Sequence, residues 1–341
     1  MTGEDSRTGR GAPAPGTGFR DILCVCAAGA DNRALLAEAA TLAAAAGGKV
    51  TALATVEAGS DLDRLARLTG LGTDAARERL VGDTRAWLEA QTAALDARVA
   101  VETVVRTGKP FVEIIRRAVE GDHDLVVKAA GSSGPRHRSP FDSTDRHLVR
   151  KCPRPVWIHQ HDAGRRGDTV MAAIDLDDPE GAGTDTGRVA DGLNGRILDV
   201  ACRVALARGA ALCVVHAWDA PVETLAFRWS ADSAAVGRYV GEVEAIARRG
   251  LSSAVEAARA ALGEPERAAL PLTTHLVRGP ARRVVPDQVA ALGAGTLVMG
   301  TLSRVGLPGL LIGNTAEDVF DSVECSVVAV KPPGFVSPVA G

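Results

Sequence analysis

The feature that most constrains this chain is an alternation of short apolar segments with longer amphipathic ones, which runs through the sequence twice. Each half contains five apolar segments of strand length, separated by segments long enough for helices. Parallel strands need long crossover connections, which helices supply, so this order predicts a parallel sheet covered by helices. The expected fold class is therefore α/β, with two tandem doubly wound parallel sheets of five strands each.

The sequence predicts these elements at definite positions. The strands of the first half are expected at 21–27, 49–56, 99–106, 124–130 and 155–159, and its helices at 32–46, about 74–97, 111–120 and 143–151. The strands of the second half are expected at 169–175, 211–218, 272–278, 296–300 and 326–331. Its helices are expected at 194–208, over a long region ending near 262, at 281–291 and at 315–323. An acidic, glycine-rich insertion is predicted at 177–192.

The length of 341 residues suits two domains. We predict a disordered tail at 1–18, domain 1 at 19–161, a linker at 162–168, domain 2 at 169–334 and a tail at 335–341. The first tail has no apolar run of the kind that a secretory signal needs, so a cytoplasmic location is expected. The six cysteines are scattered without a C-x-x-C pair, which favours reduced, buried thiols over a zinc or disulfide framework.

Composition excludes several classes of partner. The net charge of −3 provides no basic excess for nucleic acid, and 3% aromatic residues cannot build a base-stacking platform. No stretch reaches the roughly 18–20 apolar residues of a membrane span. We therefore expect neither a membrane anchor nor a specific nucleic-acid partner.

The loop after the fourth strand of the second half is the strongest candidate for a binding site. In open α/β sheets ligands bind beyond the carboxyl ends of the strands. This loop begins at Met299-Gly300-Thr301 and returns to a predicted helix at Gly313-Asn314, where glycines and free helix amides could receive a phosphate. The alternative is that Asn314 or Thr315 merely caps the helix, with Glu317 or Asp318 supporting its dipole.

Several motifs resemble the universal stress protein family. The pattern Gly300-x-x-Ser303, nine residues, Gly313-Asn314 is similar to the family's G-x-x-G-x9-G-(S/T) phosphate loop. Gly108-Lys109-Pro110, followed by Glu113-Ile114, resembles its G-D-P-x-x-E-I turn, and 146–157 resembles the end of the first half in tandem members. The resemblance implies a flavodoxin-like strand order, 3-2-1-4-5, and pairing of the two halves through their fifth strands as an intramolecular pseudo-dimer.

The resemblance also implies an ATP site in the second half, with or without magnesium. The residues that it assigns to nucleotide binding are Asp175, Ala217, Met299, Gly300, Thr301, Ser303, Gly313, Asn314 and Thr315. Asp175 would lie near adenine and ribose, and Ala217 would face adenine. Two positions depart from the family pattern: Ser303 replaces the second glycine of the loop, and Asn314 replaces a hydroxyl residue.

The first half departs further from the pattern, and we interpret it as a degenerate, structural copy. Ala27 stands where the acidic residue would be, and Asp142-Ser143 replaces Gly-Ser, with a carboxylate that repels phosphate. The basic cluster at 136–138 would either hold an acidic ligand or form a solvated loop.

Other chemistry-bearing residues give weaker signals. His159 and His161 share a strand face as metal ligands might, but no third ligand is visible, so no metal site is predicted. Ser303 and His216 could approach each other, without the acid or the nucleophile elbow of a hydrolase. Cys24 and Cys26 share one strand face and are expected in the core.

Together these residues predict a nucleotide-responsive regulator or adaptor in stress survival, with no catalytic residues, an unidentified protein partner and a possible homodimer. One alternative is an ATP-dependent enzyme with slow hydrolysis, although no acid/base pair or adenylating motif is present. The other is a carrier of an apolar small molecule in the crevice between the halves.

Overall fold

The structure is a computed structural model. This structure describes residues 18–57, 59–70, 72–95, 98–131, 141–160, 168–176, 185–220, 223, 232–301 and 313–339. The tail at 1–17, the linker region at 161–167, the loop at 302–312 and the basic cluster at 136–138 lie outside these residues.

The helices and strands follow the two predicted cycles. The first half comprises β1 (Asp21–Cys26), α1 (Arg33–Ala44), β2 (Lys49–Val56), α2 (Ser60–Thr69), α3 (Thr73–Thr92), β3 (Ala100–Thr107), α4 (Pro110–Glu120), β4 (Leu125–Ala129), α5 (Ser143–Lys151) and β5 (Val156–His159). The second half comprises β6 (Thr169–Ile174), α6 (Asp185–Arg208), β7 (Leu212–Trp218), α7 (Ser233–Ala260), α8 (Glu264–Ala269), β8 (Leu272–Arg278), α9 (Ala281–Ala291), β9 (Ala294–Gly300), α10 (Asn314–Ser322) and β10 (Ser326–Val330).

All ten strands form one sheet, in the order β3-β2-β1-β4-β5-β10-β9-β6-β7-β8. Each half therefore has the expected order 3-2-1-4-5, and every pairing within a half is parallel. The two halves meet where β5 pairs antiparallel with β10, and Trp157 lies opposite Val328 at the centre of that pairing. The α/β class, the strand order and the pairing through the fifth strands are thus confirmed.

The turn after the third strand of each half shows how closely the halves repeat. Gly108 and Gly279 have φ angles of 149° and 139°, which L side chains rarely adopt. The amide of Gly108 donates to the carbonyl of Val56, and that of Gly279 donates to the carbonyl of Trp218. The same glycine turn thus leads into α4 and α9.

Three stretches differ from the sequence-based expectation. One helix was expected between β2 and β3, but there are two, because Gly70 adopts a left-handed conformation that ends α2. The insertion expected at 177–192 is partly helical, since α6 begins at residue 185 despite its glycines. The short helix α8 was not expected, and it begins where the Glu266 carboxylate accepts a hydrogen bond from the Gly263 amide.

Apolar side chains fill both faces of the sheet. Along β1, Ile22, Cys24 and Cys26 pack on one face, and Leu23 and Val25 pack on the other. All six cysteines are buried, as expected from their apolar contexts. Among the helices of the described residues, none is long and apolar enough to span a membrane.

Candidate functional site

The carboxyl ends of β6, β7, β9 and β10 place most of the predicted site residues at one edge of the sheet. Ala173 lies beside Met299, and Val330 lies beside Gly300. Met299 is buried, whereas Asp175, directly after β6, is exposed. Asp175, Ala217, Met299, Gly300 and Thr301 therefore end up on neighbouring strands, as a site at this edge requires.

An asparagine on the following helix holds the backbone at the end of β6. The Asn194 side chain accepts a hydrogen bond from the Asp175 amide at 3.1 Å and donates one to the Asp175 carbonyl at 2.6 Å. Asn32 makes the same pair of bonds to Ala27 in the first half, at 3.0 and 3.1 Å. Sequence reasoning missed both side chains, although both predicted helices began at an asparagine.

Thr301 joins the two ends of the phosphate-type loop, which is the predicted phosphate-binding segment at 302–312. Its amide donates to the Val330 carbonyl at 3.3 Å, and its own carbonyl accepts from the Gly313 amide at 3.2 Å. The Thr301 side chain is fully buried, and its hydroxyl accepts a hydrogen bond from the ammonium group of Lys331. The loop thus leaves and rejoins the sheet at one anchored residue, while Ser303 lies outside the described residues.

Among the described residues, no side chain caps the N-terminus of α10. Gly313 occupies the N-cap position and has no side chain to accept a hydrogen bond, so helix geometry leaves the amides at 314–316 without an intrahelical acceptor. Asn314 and Thr315 are exposed at the first two helical positions. The alternative in which Asn314 or Thr315 is the N-cap residue is therefore wrong, because the helix begins one residue earlier.

The same place in the first half is filled by the protein's own carboxylates. Asp142 is the N-cap of α5, and its side chain accepts from the Asp145 amide at 2.7 Å. The buried Asp145 carboxylate accepts from the amides of Gly131 and Asp142 at 2.9 and 3.0 Å, and from Lys128 at 2.7 Å. Burial raises the pKa of the Asp145 carboxyl group, while Lys128 beside it opposes the shift. The amides and the cation that could receive an anion are thus already occupied.

The second half carries none of these three side chains. The N-cap is Gly313 instead of Asp142, and the third helical position is Ala316 instead of Asp145. Relative to the first strand of each half, Met299 occupies the place of Lys128. Among the described residues, carboxylates therefore occupy the N-cap and third helical positions of α5, whereas α10 has none at those two positions and carries its first acidic residue, Glu317, one position later.

Gly300 is tightly packed on the side facing α6. A Cβ atom at this position would lie 2.8 Å from Cδ2 of Leu193 and 3.4 Å from Cδ1 of Ile197. A larger residue at Gly300 would therefore push against α6 first.

The remaining candidates are scattered. His216 is fully buried, with Nδ1 3.2 Å from the Ile174 carbonyl oxygen. Across the described part of the chain, no three His, Cys, Asp or Glu side chains are grouped as a metal site would need, and His161 lies outside that part.

The crevice between the halves lies between α5 and α10. A groove of about 320 Å³, counting space open to solvent, runs between these helices. Phe141 and Phe320 meet edge-on beside it at 5.7 Å between ring centroids. Arg146 pairs with Asp321 at 2.7 Å, and Arg150 pairs with Glu317, so ion pairs bridge the groove.

Comparison with known proteins agrees with this architecture. The model of the universal stress protein family matches residues 18–160 and 193–331. The chain is 29% identical to universal stress protein E of Escherichia coli K12 over 325 residues, covering 94% of this chain and 96% of that protein. Universal stress protein E of Salmonella typhi is 28% identical, with 94% and 97% covered.

Two solved structures share the fold over nearly the full length. A functionally unknown protein from Pseudomonas aeruginosa PAO1 superposes with a TM-score of 0.64 at 21% identity, covering 94% of this chain and 96% of that one. A universal stress protein from Archaeoglobus fulgidus gives 0.55 at 16% identity, covering 91% and 98%.

Proposed function

The chain belongs to the universal stress protein family, and on that premise we propose that it binds ATP or a related adenine nucleotide in its second half only. Members of this family often bind ATP. The proposed site combines the exposed Asp175 for the ribose and adenine end with the N-terminus of α10, which has a glycine at its N-cap position, for the phosphates. Ala217, Met299, Gly300 and Thr301 line the strand ends between these two points.

The difference between the two helix N-termini carries this proposal. A phosphate at α5 would have to displace the Asp142 and Asp145 carboxylates from the amides and the lysine that they already hold. At α10 the residues in those positions are Gly313 and Ala316, which neither occupy nor repel an anion. One nucleotide per chain is therefore expected.

The proposed role is that of a regulator or adaptor in stress survival, exerted through binding rather than efficient catalysis. His216 is the one imidazole on the predicted site strands, and it is buried against the Ile174 carbonyl. His216 therefore does not supply a proton acceptor for rapid hydrolysis. Incubation with ATP, with and without Mg²⁺, should give turnover far below roughly 1 per second, the low end of the range for dedicated enzymes.

Calorimetric titration with ATP tests the site itself. Wild-type protein should bind one ATP, and Gly313→Asp should weaken binding at least about tenfold, since it installs the carboxylate that closes the first half. The substitution also supplies an N-cap acceptor, so the thermal midpoint should hold or rise while affinity falls.

The matched control is Ala27→Asp, which adds a carboxylate at the carboxyl edge of the other half. Ala27 is exposed, so this variant should fold and bind ATP as the wild type does. Two equal sites, or unchanged affinity in Gly313→Asp, would contradict the proposal. Gly300→Val is a poorer test, because its side chain would meet Leu193 whether or not phosphate binds nearby.

A further inference from the structure

A lysine directly after β10 is buried, with no carboxylate partner among the residues that the structure describes. Lys331 is 2% exposed, and the group that it bonds within the described residues is the neutral Thr301 hydroxyl. Its ammonium group donates to the Thr301 hydroxyl and lies 5.0 Å from the centre of the Phe335 ring. A buried ammonium group with only a neutral hydroxyl and an aromatic ring costs stability, so its position calls for an explanation.

The position of Lys331 links it to the phosphate-type loop. Its partner Thr301 is the residue at which the loop leaves the sheet and to which Gly313 returns by a 3.2 Å hydrogen bond. Gly313 is in turn the N-cap of α10. A negative charge bound at that helix terminus would therefore lie within electrostatic range of the buried amine.

The surroundings of Lys331 favour its neutral form in the unliganded protein. Burial lowers the pKa of the Lys331 amine to about 7. The titratable group that acts on it is the Cys152 thiol at the end of α5, and the guanidinium groups of Arg154 and Arg196 act in turn on that thiol. Burial raises the pKa of Cys152 to about 11, so the thiol is uncharged near neutrality and offers no counter-charge.

Building on the nucleotide site proposed above, we propose that Lys331 takes up a proton when the anionic ligand binds at α10, and so couples nucleotide binding to pH. The bound phosphates supply the negative charge that the buried ammonium group lacks. Affinity for ATP then falls as pH rises from 7 to 9, because the protonation that accompanies binding becomes harder. The first half has Gln160 at the corresponding place after its fifth strand, and it cannot couple in this way.

The test is calorimetric titration of the full chain with ATP at pH 8 in buffers of low and high ionisation enthalpy. The difference in observed heat should correspond to uptake of about 0.5 to 1 proton per ATP in the wild type. Lys331→Met should remove this uptake, weaken binding about tenfold and raise the thermal midpoint of the unliganded protein. If Lys331 served only to stabilise the fold, Lys331→Met would instead lower the thermal midpoint of the unliganded protein.

Two further variants keep the outcome decisive. Lys331→Arg retains a permanent charge, so it should bind ATP without proton uptake even if Lys331→Met does not fold. Gln160→Met, at the matching place in the first half, should leave both affinity and proton uptake unchanged. Binding without proton uptake in the wild type, or unchanged uptake in Lys331→Arg, would overturn the coupling and leave the proposed function standing. No binding by the wild type would overturn both.

Discussion

His123 and Asp21 form a buried pair at the amino ends of the strands, and the pair makes stability depend on pH. His123 is fully buried, with Nδ1 2.6 Å from an Asp21 oxygen that belongs to a carboxylate also paired with Lys49. Burial lowers the pKa of His123, and Asp21 only partly opposes the shift. The unfolded chain, with an ordinary imidazole pKa of about 6.5, thus binds a proton more readily than the folded protein.

The contribution of His123 to the unfolding free energy should therefore be fully present above about pH 6.5 and should decline as pH falls toward 5. Urea unfolding of the wild type and of His123→Gln at pH 7, 6 and 5 isolates this contribution, because the variant lacks the titrating ring. We expect the difference in unfolding free energy between the two proteins to shrink at lower pH. A constant difference would show that His123 does not titrate in this range.

The hydrogen bonds of Asn32 and Asn194 connect the starts of helices to the ends of strands β1 and β6. They show which parts of the structure local sequence patterns predict and which they do not. Strand positions were predictable because apolar runs of this length recur between helices, and the loop ends at Gly300 and Gly313 were predictable from a motif. The hydrogen bonds from Asn194 to Asp175 and the burial of Lys331 against Thr301 were not predictable, since both depend on residues far apart in sequence. The helical start of α6 was missed because its glycines signal a loop locally.

Replacing Asn32 and Asn194 one at a time tests the separate roles of these two side chains. Asn194→Ala deletes two part-buried hydrogen bonds and Asn32→Ala deletes three, so each variant should lower the unfolding free energy by about 1–3 kcal/mol in urea titrations. Only Asn194 holds the backbone of Asp175, the proposed ribose contact, so only Asn194→Ala should also weaken ATP binding. Equal ATP affinity in both variants would show that the end of β6 does not shape the site.

The whole molecule depends on the pairing of β5 with β10. Both strands are interior only because the other half is present, and the fully buried Trp157 faces Val328 at the centre of the pairing. Separated halves would expose this apolar, unpaired edge, which is a template for association. The Arg146–Asp321 and Arg150–Glu317 pairs add charge complementarity between α5 and α10.

Residues 19–161 and 169–334, expressed separately, are therefore each expected to dimerise or aggregate in sedimentation experiments, and to form a one-to-one complex when mixed. Val328→Lys in the isolated second half should reduce its self-association, because a charge then occupies the pairing strand. Thr274→Lys serves as the control, since it lies on the outer strand β8, which is an edge in the intact chain as well. Two monomeric, independently stable halves would mean that the fifth-strand pairing contributes little, and that the halves are held together by the chain alone.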